Sequence, residues 1–407
     1  MAAGVDRIVV VGGGIAGVST VGALRAGGFT GDLTLVDAGE FPYDRPPLSK
    51  DYLAGAKDLK QIALQPAEWY DDNTIRLRTL TRAAALRAGE GGVELADGTV
   101  LPADRVVLAT GGHAARPPIP GADSPRVHVL RSSVDADRLR EALVPGARVL
   151  VVGAGLIGAE VASTAVDLGC EVVLVDPVAV PIAAAVGHDV AAWLHGLHTG
   201  RGITTITAGV ESFTDTGAGI DAVIGGEAEP RTFDAVILGV GMVPETTLAE
   251  SAGLVVDRGI VVDPGQVTSN PAVLAVGDPT RIRVGDVLRP RAEHWDAAQY
   301  DGRRAAATML GAPAPESSAP WFWTDRHHRH VEGVGRMADA DTTVVRGELG
   351  AGSFSAFGLR NGTVVGAVAV DDSNAVRAAR RMIDRSLVVD PQRLADTATD
   401  LRKLLRG

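Results

Sequence analysis

The chain of 407 residues contains a single cysteine, Cys170. One thiol cannot close a disulfide within the chain, so a disulfide framework and a dithiol redox relay are both excluded. Long apolar runs are also missing. Nothing in the sequence approaches the roughly 18 uninterrupted apolar residues of a membrane span, and residues 1–6 lead straight into a strand-like segment rather than forming a secretory signal. The expected location is therefore cytoplasmic. Positive charge is in deficit, with 39 Lys and Arg against 50 Asp and Glu and a net charge of −11, which argues against a general nucleic-acid binder. Glycine, by contrast, is abundant: 50 residues, with 46% of the chain hydrophobic. That mixture suits a glycine-punctuated α/β protein, and the length suggests two or three domains.

The glycines are concentrated where they carry meaning. Residues 8–11 (IVVV) form a short apolar run of the kind that makes a buried parallel strand, and they break into Gly12-x-Gly14-Ile15-Ala16-Gly17 and a helix-like segment. Gly12 allows the tight turn, Gly14 lets backbone approach a pyrophosphate, and Gly17 lets the helix pack on the strand. The helix N-terminus supplies free N–H groups and a positive dipole end. Residues 33–36 then form a second strand ending at Asp37, placed to accept a ribose hydroxyl. The device occurs twice. Residues 149–152 lead into Gly153-x-Gly155-Leu156-Ile157-Gly158, a helix, residues 171–175 and Asp176. One chain thus binds two dinucleotides, and in such a pair one is usually a flavin and the other the nicotinamide that reduces it. Asp176 would hydrogen-bond a free 2′-hydroxyl and repel a 2′-phosphate, favouring NADH over NADPH.

Between and after these units the texture changes in a readable order. Beyond Lys50 come a helical stretch, the pair Trp69-Tyr70, and strand-like residues 92–95 and 100–101 about the turn Ala96-Asp97-Gly98. Residues 105–108 form another apolar strand closing on Ala109-Thr110-Gly111, small residues that let backbone lie against the first dinucleotide. Pro117-Pro118-Ile119-Pro120-Gly121 reads as a linker out of the first domain. In the second domain, residues 235–238 meet Gly239-Val240-Gly241, a second glycine approach. Residues 260–262 and 273–276 read as strands of the first domain, re-entered, and Gly277-Asp278 closes the latter at the ligand crevice. From Ala319 the chain reads as antiparallel strands (342–348, 353–359, 364–370) followed by helices (373–384, 391–405). Trp321 and Trp323 are expected on opposite faces of one strand, and His328 and His330 on one face of theirs, without an evident third metal ligand. The expected fold is α/β: a discontinuous FAD domain (1–118 and 244–318), an inserted NADH domain (119–243), both Rossmann-like, and a C-terminal α+β domain (319–407).

Several segments together carry a resemblance: Pro42-Tyr43-Asp44-Arg45-Pro46-Pro47-Leu48-Ser49-Lys50, Ala109-Thr110-Gly111, residues 153–160, 273–278, Glu293-His294-Trp295 and Pro320-Trp321-Phe322-Trp323. Over essentially its whole length the chain resembles the oxygenase-coupled, FAD-dependent NADH:ferredoxin reductases, the putidaredoxin reductase and aromatic-ring dioxygenase reductase type, with apoptosis-inducing factor as a relative. The resemblance implies hydride transfer from NADH to FAD and delivery of single electrons to a [2Fe–2S] ferredoxin that serves a Rieske-type or haem oxygenase. It implies that Lys50 is the flavin-side lysine, Arg45 and Pro46 contact flavin or diphosphate, Glu160 helps place the nicotinamide, and Trp295 lies beside the flavin ring; Asp278, by its place at a strand's C-terminal end, is a candidate for a ribityl hydroxyl.

The sequence departs from the family pattern at residues 181–186, which lack an arginine after the NAD acid, and at His327-His328-Arg329-His330, whose role the sequence leaves open. Two other functions keep every cofactor motif: a flavoprotein that reduces oxygen, quinone or another small acceptor, and an NADH-responsive interaction protein. The chain is expected to be a monomer or homodimer with no membrane or nucleic-acid partner. A docking patch for the ferredoxin is expected at Arg281, Arg283, Arg289 and Arg291, followed by Arg303 and Arg304, with Arg326 and Arg329 as the fallback.

Overall fold

The computed structural model describes residues 4–87 and 91–406, and the chain divides into two compact units. The first comprises Met1–Arg45, Lys57–His113 and Met242–Ser317; the second comprises Pro46–Ala56, Ala114–Gly241 and Ser318–Gly407.

The first unit is built on a five-stranded parallel sheet in the order Val273–Ala275, Arg105–Leu108, Arg7–Val11, Asp32–Val36, Arg76–Arg78. Alternation sorts the central strand onto two cores. Ile8 and Val10 pack with Val21 and Leu24 of the helix Ile15–Ala26 and with Ala305 and Met309 of the helix Trp295–Leu310. Val9 and Val11 pack on the opposite face with Val93, Leu95 and Leu101 of a small antiparallel sheet. A strand buried on both faces must be apolar throughout, which is why residues 8–11 show no polar alternation. Ile260–Val262 does not join this sheet; it pairs with Thr280–Val284 in a separate three-stranded sheet.

The second unit repeats the plan with Thr204–Thr207, Glu171–Asp176, Arg148–Val152, Ala235–Leu238 and Val127–Val129, again all parallel. It also holds a five-stranded antiparallel sheet ordered Trp321–Arg326, Arg329–Gly335, Thr363–Val370, Phe354–Arg360, Thr342–Arg346. One face of that sheet is covered by the helix Ser373–Asp384. The other is covered by Val186, Val190 and Leu194 from the segment after Asp176. The C-terminal sheet and the second parallel sheet therefore share one compact body.

Three local expectations are corrected. Trp321 and Trp323 lie on the same face and stack with ring centroids 4.8 Å apart, because residues two apart on a strand point the same way. His327 and His328 both have positive φ, 51° and 58°, and form the hairpin turn, so His328 does not share a strand face with His330. Residues 391–405 are not one helix: Pro391–Ala395 is helical and Leu401–Arg406 is a 3-10 turn. The break is a tertiary effect. The Arg346 guanidinium donates to the carbonyls of Leu394, Asp396, Thr397 and Thr399, and the Asp396 side chain accepts from the Ala398 N–H, so these groups have better partners than a helix would give them.

Candidate active site

In the first unit the glycine turn is pressed against the neighbouring strand. Gly12 has φ +113°, and a β-carbon there would lie 2.2 Å from the Ala109 carbonyl oxygen; at Gly17 it would lie 1.9 Å from the Gly12 carbonyl. Gly14 differs. Its φ is −72° and a β-carbon would meet nothing within 4 Å. The protein itself does not require glycine there, and the space beside it is open. Gly14 is also the N-cap of a helix whose terminus has no side-chain cap, which leaves amide donors for an anion. Ala16 is buried, its methyl 3.0 Å from where a Gly277 β-carbon would stand and its carbonyl 2.5 Å from one at Gly302. It seats the helix Trp295–Leu310 against the turn.

Around this cradle, Asp37 Oδ1 accepts from Gly39 N–H at 2.8 Å. Burial raises the Asp37 pKa, while that bond and the nearby charge of Arg45 work against the rise. Thr110 Oγ1 donates to the Glu245 carbonyl at 2.7 Å, and Gly111 has φ +66°. Trp295 Nε1 donates to Asp44 Oδ1 at 2.8 Å, joining two of the segments singled out from the sequence. Asp278 follows Val273–Ala275 in a turn into the strand Thr280–Val284, so no helix begins there for it to cap. Sequence reasoning missed Asp301, a buried acid whose pKa is pushed up to about 7, chiefly by burial. It accepts from Gln266 Nε2 at 3.0 Å and from the Gly277 N–H at 3.3 Å, and so anchors the Gly277-Asp278 turn.

The second unit reproduces the cradle. Gly153 has φ +98° with a would-be β-carbon 2.5 Å from the Gly239 carbonyl; Gly158 would meet the Gly153 carbonyl at 1.9 Å; Gly155 meets nothing. The helix Leu156–Asp167 also starts without a side-chain cap. Ile157 and Val240 are exposed, and Gly241 has φ +110° with nothing near its absent β-carbon. Asp176 accepts the Ala154 N–H through Oδ2 and the Val178 N–H through Oδ1, both at 2.7 Å. Both cradles fit a dinucleotide: a tight turn, an open middle glycine and an uncapped helix terminus.

One helical turn past Gly155 stands a carboxylate that burial would penalise unless it were paired. Glu160 is only 2% exposed. Its Oε2 accepts from Ser49 Oγ at 2.5 Å, and its Oε1 from Thr324 Oγ1 at 2.7 Å and the Asp325 N–H at 3.1 Å. Lys50 Nζ lies 3.3 Å from Glu160 Oε1 and 3.1 Å from Asp325 Oδ2, and 5.5 Å from the Trp323 ring centre. The local backbone places Lys50 there: Pro46–Ser49 is a 3-10 turn, and the Lys50 N–H donates to the Pro47 carbonyl at 3.0 Å. Four donors hold one carboxylate at fixed orientation in low dielectric. Lys50 and Glu160 were readable from sequence; Ser49, Thr324 and Asp325 as their partners were not.

The remaining cations separate by burial. Arg281 and Arg291 are held by acceptors: Arg281 by Asp257 and the Arg289 carbonyl, Arg291 by Glu293 and the Arg258 carbonyl. Arg283 and Arg289 are exposed on the hairpin Thr280–Val284 and Val287–Leu288. Arg326 is 3% exposed and cannot form a docking surface; burial pulls its guanidinium down to about 10 while the Glu160 charge opposes this. Arg329 pairs with Asp371 at 2.8 Å. Among the histidines, His327 Nε2 is 2.8 Å from His198 Nδ1 in a buried pair, His328 is exposed 3.7 Å from Asp167, and His330 lies between Asp325 and Glu332. No group of three side chains among the described residues could hold a metal ion. No helix among them is long and apolar enough to cross a membrane.

Two parallel sheets, each with an uncapped glycine turn at its strand ends, define an oxidoreductase that handles two dinucleotides. The pyridine nucleotide-disulphide oxidoreductase model matches residues 6–302 and the reductase C-terminal model matches 321–405, and the chain belongs to this family. It is an oxidoreductase that uses FAD and NAD(H). The chain is 38% identical to the anthranilate 1,2-dioxygenase system ferredoxin–NAD(+) reductase component of Burkholderia cepacia, over 98% of this chain and 99% of that one. It is 34% identical to putidaredoxin reductase of Pseudomonas putida, over 98% and 97%. The crystal structure of a covalent putidaredoxin reductase–putidaredoxin complex superposes with TM-score 0.91 at 32% identity, covering 98% of each chain. The disulphide of the family name has no counterpart here, where the one thiol, Cys170, is buried.

Proposed function

We propose that the chain is an FAD-dependent NADH:ferredoxin reductase that supplies electrons to an oxygenase through a [2Fe–2S] ferredoxin in the cytoplasm. The first cradle (Gly12, Gly14, Gly17, Asp37, with Ala109–Gly111, Gly277, Asp278 and Trp295) holds FAD and the second (Gly153, Gly155, Gly158, Asp176, with Gly239–Gly241) holds NADH. The division into residues 1–118 with 244–318, 119–243 and 319–407 follows these roles. When bound, FAD takes electrons from NADH as a pair and releases them singly.

The carrying observation is the Lys50–Glu160 pair beside an NADH cradle in a chain with no second thiol. Lys50 supplies a positive charge that favours the reduced, more negative cofactor. Glu160, fixed by Ser49 and Thr324, holds Lys50 and gives the nicotinamide side a rigid wall. Electrons cannot leave through a dithiol within the chain, so they leave to an external acceptor, and relatives named as a ferredoxin–NAD(+) reductase component and as putidaredoxin reductase support a ferredoxin in that place. The test is anaerobic reduction of the FAD-loaded protein by NADH, followed by turnover with ferredoxins encoded by the source organism, oxygen or quinone. Turnover with oxygen or quinone that equals or exceeds every ferredoxin would overturn the assignment.

A further inference from the structure

The first unit buries an acid whose hydrogen-bond partners are both neutral. Asp301, in the helix Trp295–Leu310, is 7% exposed. Its Oδ1 accepts from Gln266 Nε2 at 3.0 Å and its Oδ2 from the Gly277 N–H at 3.3 Å. Gln266 is itself fully buried, and its φ of 70° is a left-handed conformation that a residue with a β-carbon adopts at a cost. Its backbone is fixed: the N–H donates to the Asp263 carbonyl, and its carbonyl accepts from the Ala275 N–H. Its side-chain Oε1 is buried, and no donor among the described residues reaches it. An amide oxygen in that position needs a donor, and a carboxylate has no hydrogen to give.

A carboxylic acid has one. We propose that Asp301 is a positioning residue of the flavin cradle, standing there as a neutral acid that gives its O–H to Gln266 Oε1 and so locks the Gly277-Asp278 turn for FAD. This rests on the first cradle holding FAD. The acid–amide pair ties the Gln266 loop, the helix and the turn into one piece, and that piece bears on the glycine turn. A β-carbon at Gly302, next to Asp301, would lie 2.5 Å from the Ala16 carbonyl oxygen, and one at Gly277 would lie 3.0 Å from the Ala16 methyl. Charge matters as much as shape. The FAD diphosphate is anionic, and an ionised Asp301 would add a negative charge to the wall that already carries Asp278.

The surroundings favour the acid. Burial first, and the Asp278 charge from the turn, raise the Asp301 pKa to about 7, against the Gly277 N–H and the Arg304 charge from its own helix. Arg304 lies over the Tyr300 ring, 5.4 Å from its centre. The helix Ile15–Ala26, packed at Gly302, contributes the Thr20 hydroxyl, which donates to the Ala16 carbonyl. The Gln266 loop contributes Asp263, whose Oδ1 accepts from the Gly265 and Val267 N–H groups. An anionic ligand that prefers the protonated form raises the pKa further when it binds, so the cradle takes up a proton as it fills.

The experiment strips FAD from the full chain and titrates it back by calorimetry, in buffers of differing ionisation enthalpy, from about pH 6 to about pH 9. Proton uptake should climb toward about one per FAD at the alkaline end, and affinity should fall by up to roughly tenfold per pH unit above about pH 7. Asp301→Asn keeps the neutral shape and supplies an N–H for Gln266 Oε1. It should bind FAD at every pH as tightly as the unaltered chain does in mild acid, with no linked proton. Absence of proton uptake by the unaltered chain would overturn the proposal, as would uptake that persists in Asp301→Asn. Loss of FAD by Asp301→Asn at every pH, with its cofactor-free melting temperature unchanged, would show Asp301 acting as a carboxylate and would also overturn it. Failure of the underlying reading is separable: Gly14→Val would then bind FAD normally at every pH.

Discussion

The two nucleotide cradles share one backbone plan, and two of the positions at which they differ change what the turn presents. Where the first turn has Gly13, the second has Ala154. A β-carbon at Gly13 would lie 1.8 Å from Asp37 Oδ2, so the first acid lies over its turn, whereas Asp176 hangs from the Ala154 amide and leaves room for the methyl. Where the first helix has Ser19, the second has Glu160, seven residues after the leading glycine in each case. The first helix therefore carries a small hydroxyl at this position, and the second presents a buried carboxylate held by groups from outside its own βαβ unit. One backbone device thus carries different side chains in its two copies.

The largest effect that separates them should come from valine at the open glycines. Gly14→Val is expected to fold and lose FAD, since only ligand space is taken, with affinity falling by about a hundredfold or more, or roughly 3 kcal/mol. Gly155→Val should stay yellow yet resist reduction by NADH. Flavin absorbance and anaerobic NADH titration read both, and a colourless Gly155→Val protein would reverse the assignment of the two cradles.

Next is the charge that only the second unit supplies. Lys50→Met should retain FAD, lower its reduction potential by about 20–60 mV, corresponding to roughly 1–3 kcal/mol for two electrons, and slow reduction by NADH. An unchanged potential in spectroelectrochemical titration would leave Lys50 as a structural partner of Glu160. Asp176→Ala is expected to weaken NADH by roughly 1–3 kcal/mol and to improve NADPH relative to NADH. Because Asp176 also tethers Ala154 and Val178, both nucleotides should lose some affinity. A preference for NADPH in the unaltered protein would sink this reading.

The units should also differ in acid. His198 and His327 are buried, and desolvation depresses both pKa values first; the charge of Arg326 adds to each and that of His327 adds at His198, so that His327 falls to about 4 and His198 further. A folded-state pKa below the unfolded value near 6.5 means that the unfolded chain binds more protons as pH falls. The stability is present above about pH 6.5 and is lost toward pH 4, by up to roughly 1.4 kcal/mol per pH unit for each histidine. Denaturant melts at several pH values should show the second unit failing first, and His198→Gln should flatten that dependence. The smallest effect concerns docking: Arg283→Glu with Arg289→Glu should raise the Michaelis constant for ferredoxin roughly three- to tenfold and weaken its salt dependence. Reduction of a small neutral acceptor should not change; equal losses with both acceptors would point to damage at the flavin site.

The glycine turns, the parallel strands and the C-terminal sheet were legible in sequence because each rests on local rules: a positive φ only glycine tolerates, an apolar run, a period of two. Of the arginines expected to form a docking patch, Arg283 and Arg289 are exposed, while Arg281 and Arg291 are tied to carbonyls that no spacing reveals. The partners of Glu160 lie 111 and 164 residues away in the chain, beyond any local signal. The break at residues 396–400 was hidden for the same reason, because Arg346 reaches it from about fifty residues upstream.

That separation has a consequence for biosynthesis. A nascent chain that has emerged only as far as the second parallel sheet carries Glu160 without Thr324 or the Asp325 amide, and a carboxylate missing those donors resists burial. The helix Leu156–Asp167 is thus expected to stay open to water on the ribosome until the hairpin beginning at Trp321 arrives and closes over it. Chains stalled before and after the hairpin beginning at Trp321 has emerged should then differ sharply in protease resistance around Glu160, so that two donors from a distant hairpin set the moment at which the helix becomes native.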